Sequence, residues 1–207
     1  MERVLDVYAR PYDSRFPTLC FDERPCFLIG DVITPVAAEP GKVAKEDFMY
    51  EKLGCCCVLL AVEPLTGRRF VKVVARRTAE EYARFIEEIE RAYPYAIKIT
   101  LVQDNLNTHH GGSFYKINEP SEAARLDRRF EWVFTPIHAS WLNMAELEFS
   151  ALSRQCLDRR IATEEALRTE VETWVEERNR RKIKLKWQFS VESARTKLGR
   201  HYESVRI

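Results

Sequence analysis

Two aspartates in this sequence follow apolar segments that have the pattern of β-strands, and they are the first candidates for chemistry. Asp22 follows residues 18–21, and Asp104 follows residues 97–102. Ligands of open α/β sheets bind at the carboxyl ends of the strands. Taken alone, each aspartate is more typical of a turn or a helix cap. The hydrogen-bonding side chains that follow Asp104 favour a site there.

A third carboxylate, Glu146, lies in the first turn of a predicted helix, where the helix dipole favours an anion. It shares a helix face with Asn143, whereas Glu148 points about 200° away and is not expected to join the same site. Without its neighbours, Glu146 is most simply a capping-box partner. Carboxylates that converge in a partly buried site repel one another and need a cation. Oxygen ligands favour Mg²⁺ or Mn²⁺ over zinc.

The elements that must position these side chains form a mixed α/β pattern. Strands are predicted over residues 18–21, with a hairpin partner at 26–32, and over 55–62, 70–74, 97–102 and 131–134. Helices are predicted over residues 78–93, 121–129, 143–160 and 163–180. The early strands follow one another closely and are predicted to be antiparallel, whereas helices separate the later strands and predict parallel pairing.

The composition is that of a folded chain with one domain and an appendage. Of its 207 residues, 45% are hydrophobic and 31% are charged, which excludes a mostly disordered chain. The longest apolar run, residues 55–62, is too short to span a membrane, and no signal peptide is evident. The cysteine spacing favours free thiols in a reduced compartment. We therefore predict a cytoplasmic protein with no membrane partner.

Charge is unevenly distributed along the chain, although the net charge is only +1. Residues 178–200 contain nine basic residues and one acidic residue, so this segment carries +8 and the rest carries −7. A basic segment beside an acidic body indicates a polyanion contact in the first and a cation site in the second. Charge alone fits a solvated helix end equally well.

Three blocks of the sequence resemble the catalytic blocks of DDE transposases. They are Cys-Phe-Asp-Glu (20–23), Leu-Val-Gln-Asp-Asn-Leu-Asn-Thr-His (101–109) and His-Ala-Ser-Trp-Leu-Asn-Met-Ala-Glu (138–146). The pattern is similar to that of the bacterial insertion-sequence branch of the mariner superfamily, from about Val4 to Tyr202. The resemblance implies an α/β fold with a ribonuclease H-like mixed sheet flanked by helices. It also implies a bacterial protein that is nucleoid-associated when on DNA.

The resemblance implies that Asp22, Asp104 and Glu146 are the catalytic triad and hold two Mg²⁺ or Mn²⁺ ions, with Asp22 as the bridging ligand. Two such ions can activate the attacking oxygen and stabilise the leaving oxygen of a phosphodiester. Asn143 matches the asparagine that precedes the last acid by three residues. Further supporting candidates are Asn105, Asn107, His109 and His138. Each histidine fits a cap or a loop hydrogen bond equally well.

The implied activity is cleavage and strand transfer of double-stranded DNA, at transposon ends and target, by a homodimer in the DNA complex. Candidate phosphate contacts are Arg154, Arg159, Arg160, Arg178, Arg180, Arg181, Lys182, Lys184 and Lys186. The first three arginines also fit charges that complement a helix dipole. The alternative function is a catalytically silent, transposase-derived DNA-binding or assembly subunit. A nuclease for RNA–DNA hybrids would share the fold but fits the third block poorly.

The predicted organisation is an N-terminal linker over residues 1–15, a catalytic domain over 16–180 and a basic tail over 181–207. Family members usually begin with a helix-turn-helix region, and the residues before Asp22 show no such pattern. We therefore expect an isolated catalytic domain. The missing region favours the silent alternative, whereas the intact triad favours the enzyme. Two smaller departures are a longer separation between the second and third acids and Met144 in place of a common proline.

Overall fold

The computed structural model describes residues 1–199, and a five-stranded sheet forms its centre. The strands are β1 (Thr18–Asp31), β2 (Tyr50–Glu63), β3 (Arg68–Val74), β4 (Ile99–Gln103) and β5 (Phe130–Phe134). Their order across the sheet is β3-β2-β1-β4-β5. The first three strands pair antiparallel, whereas β1–β4 and β4–β5 are parallel. This arrangement confirms the mixed sheet and the strand directions that the sequence predicts.

Helices cover both faces of the sheet. They are α1 (Glu2–Tyr8), α2 (Ala79–Arg91), α3 (Pro120–Arg129), α4 (Ala145–Gln155), α5 (Glu164–Arg180) and α6 (Val191–Lys197). The face that carries Cys20 and Val102 packs against α1, α4 and α5, and the face that carries Phe21 and Leu101 packs against α2 and α3. Because strand residues alternate between faces, neighbouring residues contribute to two separate cores.

The two best-defined helices begin where their caps predict. The Thr78 side chain accepts a hydrogen bond from the backbone N–H of Glu81 at the start of α2. The Thr163 side chain accepts one from Ala166 at the start of α5. These bonds satisfy N–H groups that have no partner within the helix. By contrast, α4 ends at Gln155 and is shorter than the predicted helix over residues 143–160.

β1 is one continuous strand, so the predicted hairpin between residues 18–21 and 26–32 is wrong. It pairs with β2 from Cys20 to Asp31, whereas its pairing with β4 extends only from Thr18 to Cys20 in the described structure. One side of β1 therefore has no strand partner beyond Cys20 in residues 1–199, although the Ile29 N–H donates to the Ile161 carbonyl there. Pro25 is tolerated in this part of β1 because an edge strand does not need every N–H. As a result, Asp22 lies within a strand rather than after one.

The predicted N-terminal linker, residues 1–15, contains a packed helix and is corrected in that respect. Val4, Leu5 and Val7 of α1 are buried in the same core as α4 and α5. Part of the predicted tail packs there too, since Leu185, Trp187 and Phe189 contact this core and Ala194 of α6 is buried in it. Residues 200–207 of that tail lie outside the described residues. Within residues 1–199, no helix combines the length and apolarity needed to cross a membrane.

Candidate active site

Asp22, within β1, and Asp104, directly after β4, lie at matching positions of two neighbouring parallel strands. Cys20 of β1 pairs with Val102 of β4, and each aspartate lies two residues after its paired residue. Within β1, the two-residue period directs the Asp22 side chain to the sheet face of Cys20 and Val102, whereas Asp104 comes directly after the last residue of β4. That face packs against α4, the helix that carries Glu146. The register of β1 and β4 thus brings together the two aspartates that the sequence separates by more than 80 residues.

Asn143 connects the start of α4 to β1. Its side chain is buried, and its Nδ2 donates to the Phe21 carbonyl at 2.7 Å and to Asp22 Oδ2 at 3.3 Å. Its Oδ1 accepts from the Ala145 N–H at 3.1 Å. Glu146 follows in the exposed first turn of α4. The predicted supporting role of Asn143 therefore has a geometric basis, because Asn143 positions Asp22 and the helix of Glu146 relative to each other.

The three carboxylates are close enough to influence one another. Burial raises the pKa of Asp22 to about 7, and the charges of Glu146 and Asp104 raise it as well. The backbone N–H of Glu23, which donates to Asp22 Oδ1 at 2.8 Å, opposes this rise. A cluster of this kind offers several hard oxygen donors, which fit a divalent cation such as Mg²⁺ or Mn²⁺.

His109 bridges two carboxylates from a fully buried position. Its Nδ1 contacts Asp104 Oδ1, and its Nε2 lies 2.9 Å from Glu23 Oε2. The ring packs against those of Phe21 and Tyr82, with centroids 5.1 and 5.0 Å away. Burial lowers the pKa of His109, but the hydrogen bonds to Asp104 and Glu23 outweigh it and raise the pKa to about 9. The histidine is therefore protonated at neutral pH and holds Asp104 in place.

Glu23 is a functional candidate that the sequence analysis missed. Its side chain is almost fully buried, and it also accepts from Arg77 at 2.8 Å. The quoted block Cys-Phe-Asp-Glu contains it, but strand alternation sends it to the face opposite Asp22. No local sequence signal indicates that His109, in a loop more than 80 residues after Glu23, packs on the same face.

The structure does not bring three other supporting candidates to the carboxylates. Asn105 and Asn107 are exposed after β4, and His138 is exposed in the loop before α4 with a φ of 62°. Within residues 1–199, none of these side chains is hydrogen-bonded to Asp22, Asp104 or Glu146. Their predicted roles in orienting ligands or phosphate stay predictions.

Glu148 belongs to a buried ion cluster, and this corrects the DNA contact predicted for Arg178. The carboxylate accepts from Arg69 at 2.7 and 2.8 Å and from Arg178 at 2.8 and 3.0 Å. The side chains of Arg69 and Glu148 are completely buried. The Arg178 guanidinium also lies 4.7 Å from the Trp174 ring centroid. Arg178 is therefore committed to the interior and is not available to a phosphate.

The other predicted phosphate contacts differ in whether an acidic side chain already neutralises their charge. Three of these arginines already form ion pairs: Arg159 with Glu170, Arg160 with Asp31 and Arg180 with Glu177. Arg154 is exposed and donates to the Ser150 carbonyl. Four exposed residues form no ion pair within the described structure: Arg181, Lys182, Lys184 and Lys186. We call residues 181–186 the basic segment, and it is the part of the predicted DNA surface with the most available charge.

The carboxylates are not already arranged as a metal centre. Within residues 1–199, no three His, Cys, Asp or Glu side chains form a group ready to hold a metal ion. Asp104 is engaged by His109, and Glu146 is exposed to solvent. The chemistry of the donor set, carboxylate oxygens, nevertheless fits a divalent cation.

Comparison with solved structures shows the fold. One is described as a Mos1 mariner paired end complex with Mn: its TM-score is 0.58 at 16% identity, covering 88% of this chain and 55% of that one. A Mos1 strand transfer complex has a TM-score of 0.57 at 14% identity, covering 84% of this chain and 51% of the other. The chain thus spans about half the length of these transposase chains. At these identities the likeness establishes the ribonuclease H-like fold alone.

Comparison of sequences shows the family. No curated protein is detectably similar in sequence. Residues 17–168, however, match the family described as DDE superfamily endonuclease. The match covers most of the chain and includes the positions of Asp22, Asp104 and Glu146. The chain therefore belongs to the DDE superfamily endonuclease family.

Proposed function

We propose that this chain is a transposase catalytic domain that cleaves double-stranded DNA and transfers the cut strand in a metal-dependent reaction. The observation that carries the proposal is geometric: Asp22 and Asp104 lie at the same end of neighbouring parallel strands, and Asn143 joins β1 to the helix that carries Glu146. Family membership supports the reaction class. The DNA partner, at transposon ends and at a target, is supported by the similar Mos1 structures, which are a paired-end complex and a strand transfer complex.

Asp22, Asp104 and Glu146 are the residues that would hold two Mg²⁺ or Mn²⁺ ions. When bound, such ions activate the attacking oxygen and stabilise the leaving oxygen of an in-line displacement. The remaining residues act on these ligands. Asn143 fixes Asp22 through its amide, and the protonated His109 fixes Asp104 while its own charge is balanced by Glu23.

A second candidate, a catalytically silent DNA-binding or assembly subunit, is favoured by the absence of a ready metal group in the described residues and by the contact of Asp104 with His109. Incubation with the DNA that flanks the gene, in the presence of Mn²⁺, separates the two functions. Nicks that disappear when the metal is chelated support the enzyme. Retained DNA binding without nicking supports the silent subunit.

Divalent metal is expected to stabilise the fold through the acidic cluster. If the dissociation constant is on the order of 1 mM, 10 mM Mn²⁺ adds about 1.4 kcal/mol to the free energy of unfolding. Thermal melting with and without Mn²⁺ measures the effect. The shift should be absent in Asp104→Asn, because the amide lacks the charge that the metal needs. Equal shifts in both proteins would contradict a metal site at Asp104.

DNA binding is expected to depend on the basic segment. Replacement of Arg181, Lys182, Lys184 and Lys186 by Ala should weaken the binding of duplex DNA and reduce the salt slope by up to about four, because each released phosphate contact contributes roughly 0.9. Fluorescence anisotropy at several salt concentrations measures both quantities. As a control, Arg180→Ala should change little, since Glu177 already neutralises Arg180. Unchanged affinity of the fourfold variant at low salt would show that the segment is only a solvated surface.

A homodimer in the DNA complex is also part of the proposal. Its support is the segment formed by the end of β1, residues 32–49 and the start of β2, which exposes several large apolar side chains. Examples are Phe27, Val43 and Phe48, of which Phe48 is 85% exposed. Exposed apolar groups that cluster on one segment are typical of an interaction surface. Light scattering of the protein bound to DNA tests the stoichiometry.

A further inference from the structure

A cavity of about 650 Å³ lies at the end of the sheet's strands that is opposite the carboxylate cluster. Ala96, before β4, is among its lining residues, whereas Asp104 follows the far end of that strand. The volume is within the range of sites that bind small organic molecules. Among the residues that line it are three tyrosines, one carboxylate and two cations: Tyr12, Tyr93, Tyr95, Glu63, Arg68 and Lys182. None of these residues belongs to the proposed catalytic machinery.

Glu63 gives this cavity an incomplete hydrogen-bond arrangement. The residue ends β2 and is only 3% exposed. Its Oε2 accepts from the hydroxyls of Thr66 and Tyr93, whereas its buried Oε1 has no hydrogen-bond partner within residues 1–199. A buried polar atom without a partner is rare in folded proteins, because desolvation is then uncompensated. The free oxygen therefore fits a ligand that brings an N–H donor.

The walls and rim of the cavity define the rest of the ligand. Tyr12 and Tyr95 present exposed rings, and Tyr95 is 92% exposed. The Arg68 guanidinium lies at the rim, 4.9 Å from the Tyr93 ring centroid, and Lys182 connects the rim to the basic segment. Two cations around one carboxylate disfavour a cationic ligand. Aromatic rings favour a flat ligand by stacking, and the cations favour one that carries a phosphate.

We infer that this cavity binds one unpaired nucleotide of a DNA strand, whose base has an exocyclic amino group. The amino group donates to Glu63 Oε1, the base stacks on the exposed tyrosines, and the phosphate lies near Arg68 and Lys182. Cytosine fits this arrangement better than thymine, because thymine has a carbonyl oxygen where cytosine has its amino group, and this oxygen would lie close to the Glu63 carboxylate. The inference rests on the proposed DNA substrate but not on the catalytic carboxylates.

The test is a titration of the full chain with dCMP in the absence of divalent metal, followed by backbone amide shifts in NMR spectra. Saturable shifts are expected at Gly67 and Tyr93, with dTMP binding at least about fivefold more weakly. Glu63→Gln should weaken dCMP binding about tenfold or more, because it removes a charged acceptor. Tyr95→Ala should weaken it about fivefold or more through lost stacking. Tyr115→Ala, a change at another exposed tyrosine, should have no effect.

Several outcomes would overturn the inference. They are equal affinity for dCMP and inorganic phosphate, preference for dTMP, tighter binding of free arginine than of dCMP, and no saturable shift at about 10 mM dCMP. If Glu63→Gln fails to fold, Tyr95→Ala and Lys182→Gln decide, since both positions are exposed and both variants should weaken binding. Asp104→Asn should bind dCMP like the wild type. Loss of cleavage and loss of this site are therefore distinguishable.

Discussion

Replacement of Glu146 by Gln is expected to abolish Mn²⁺-dependent DNA cleavage while the fold stays intact. The amide keeps the shape of the side chain but removes the charge that a divalent cation needs, which corresponds to a loss of several kcal/mol in the barrier and about 10³-fold or more in rate. Glu146 is exposed in the first turn of α4, so its effect on the free energy of unfolding should stay within about 0.5 kcal/mol. The nicking rate of plasmid DNA and thermal melting measure the two effects.

The matched control is Glu172→Gln, the same chemical change at an exposed position of α5. It should leave both cleavage and melting temperature near the wild-type values. A Glu146→Gln protein that still cleaves DNA at the wild-type rate would exclude this residue as the third ligand. A wild-type protein that binds DNA but never cleaves it, under any metal, would instead support the silent subunit.

Replacement of Glu148 by Gln is expected to have the largest effect on stability. Position in the sequence alone predicts a mild change, with most activity retained. In the structure, the substitution leaves the buried guanidinium groups of Arg69 and Arg178 without their counter-charge. Removing one partner of a buried ion pair costs about 3–5 kcal/mol, which corresponds to roughly 6–20 °C in melting temperature for a chain of this size. Cleavage should fall because the protein unfolds, and thermal melting distinguishes this cause from a catalytic one.

The loss of stability caused by Glu148→Gln should depend on pH. Burial alone would raise the pKa of Glu148, but the hydrogen bonds from Arg69 and Arg178 outweigh it and lower the pKa. A lowered pKa in the folded state contributes stability above the ordinary glutamate pKa of about 4.3, and that stability is lost as pH falls through the folded pKa. The difference in melting temperature between the two proteins should therefore be full at neutral pH and shrink below about pH 4.

The control for this cluster is Glu88→Gln, which removes one partner of an exposed pair with Lys72. Exposed pairs contribute about 0–1 kcal/mol, because water and side-chain entropy offset the attraction. Glu88→Gln should therefore melt close to the wild type. Equal stability of Glu148→Gln and Glu88→Gln at neutral pH would show that the buried cluster of Arg69, Glu148 and Arg178 does not stabilise the packing of α4 and α5 on the sheet.

The sequence by itself determines the features that depend on neighbouring residues. The apolar stripe and the Thr78 cap predict α2, and the Thr163 cap predicts the start of α5. The pattern of apolar residues also predicts strands at β2, β3, β4 and β5, together with their directions. Caps and periodicity act over a few residues, so they are visible without a fold. The family resemblance added the identity of the three acids, which spacing alone left open.

The tertiary structure decided which distant side chains meet. Glu148 has the same local signal as Glu146, an acid near the start of a helix, yet one is buried with Arg69 and the other is exposed. His109 and Glu23 meet only because the loop after β4 returns to the second face of β1. Such contacts join residues that are tens of positions apart, and no local propensity specifies them. They arise from the register of the strands and from the burial of both sheet faces, which only the folded chain fixes.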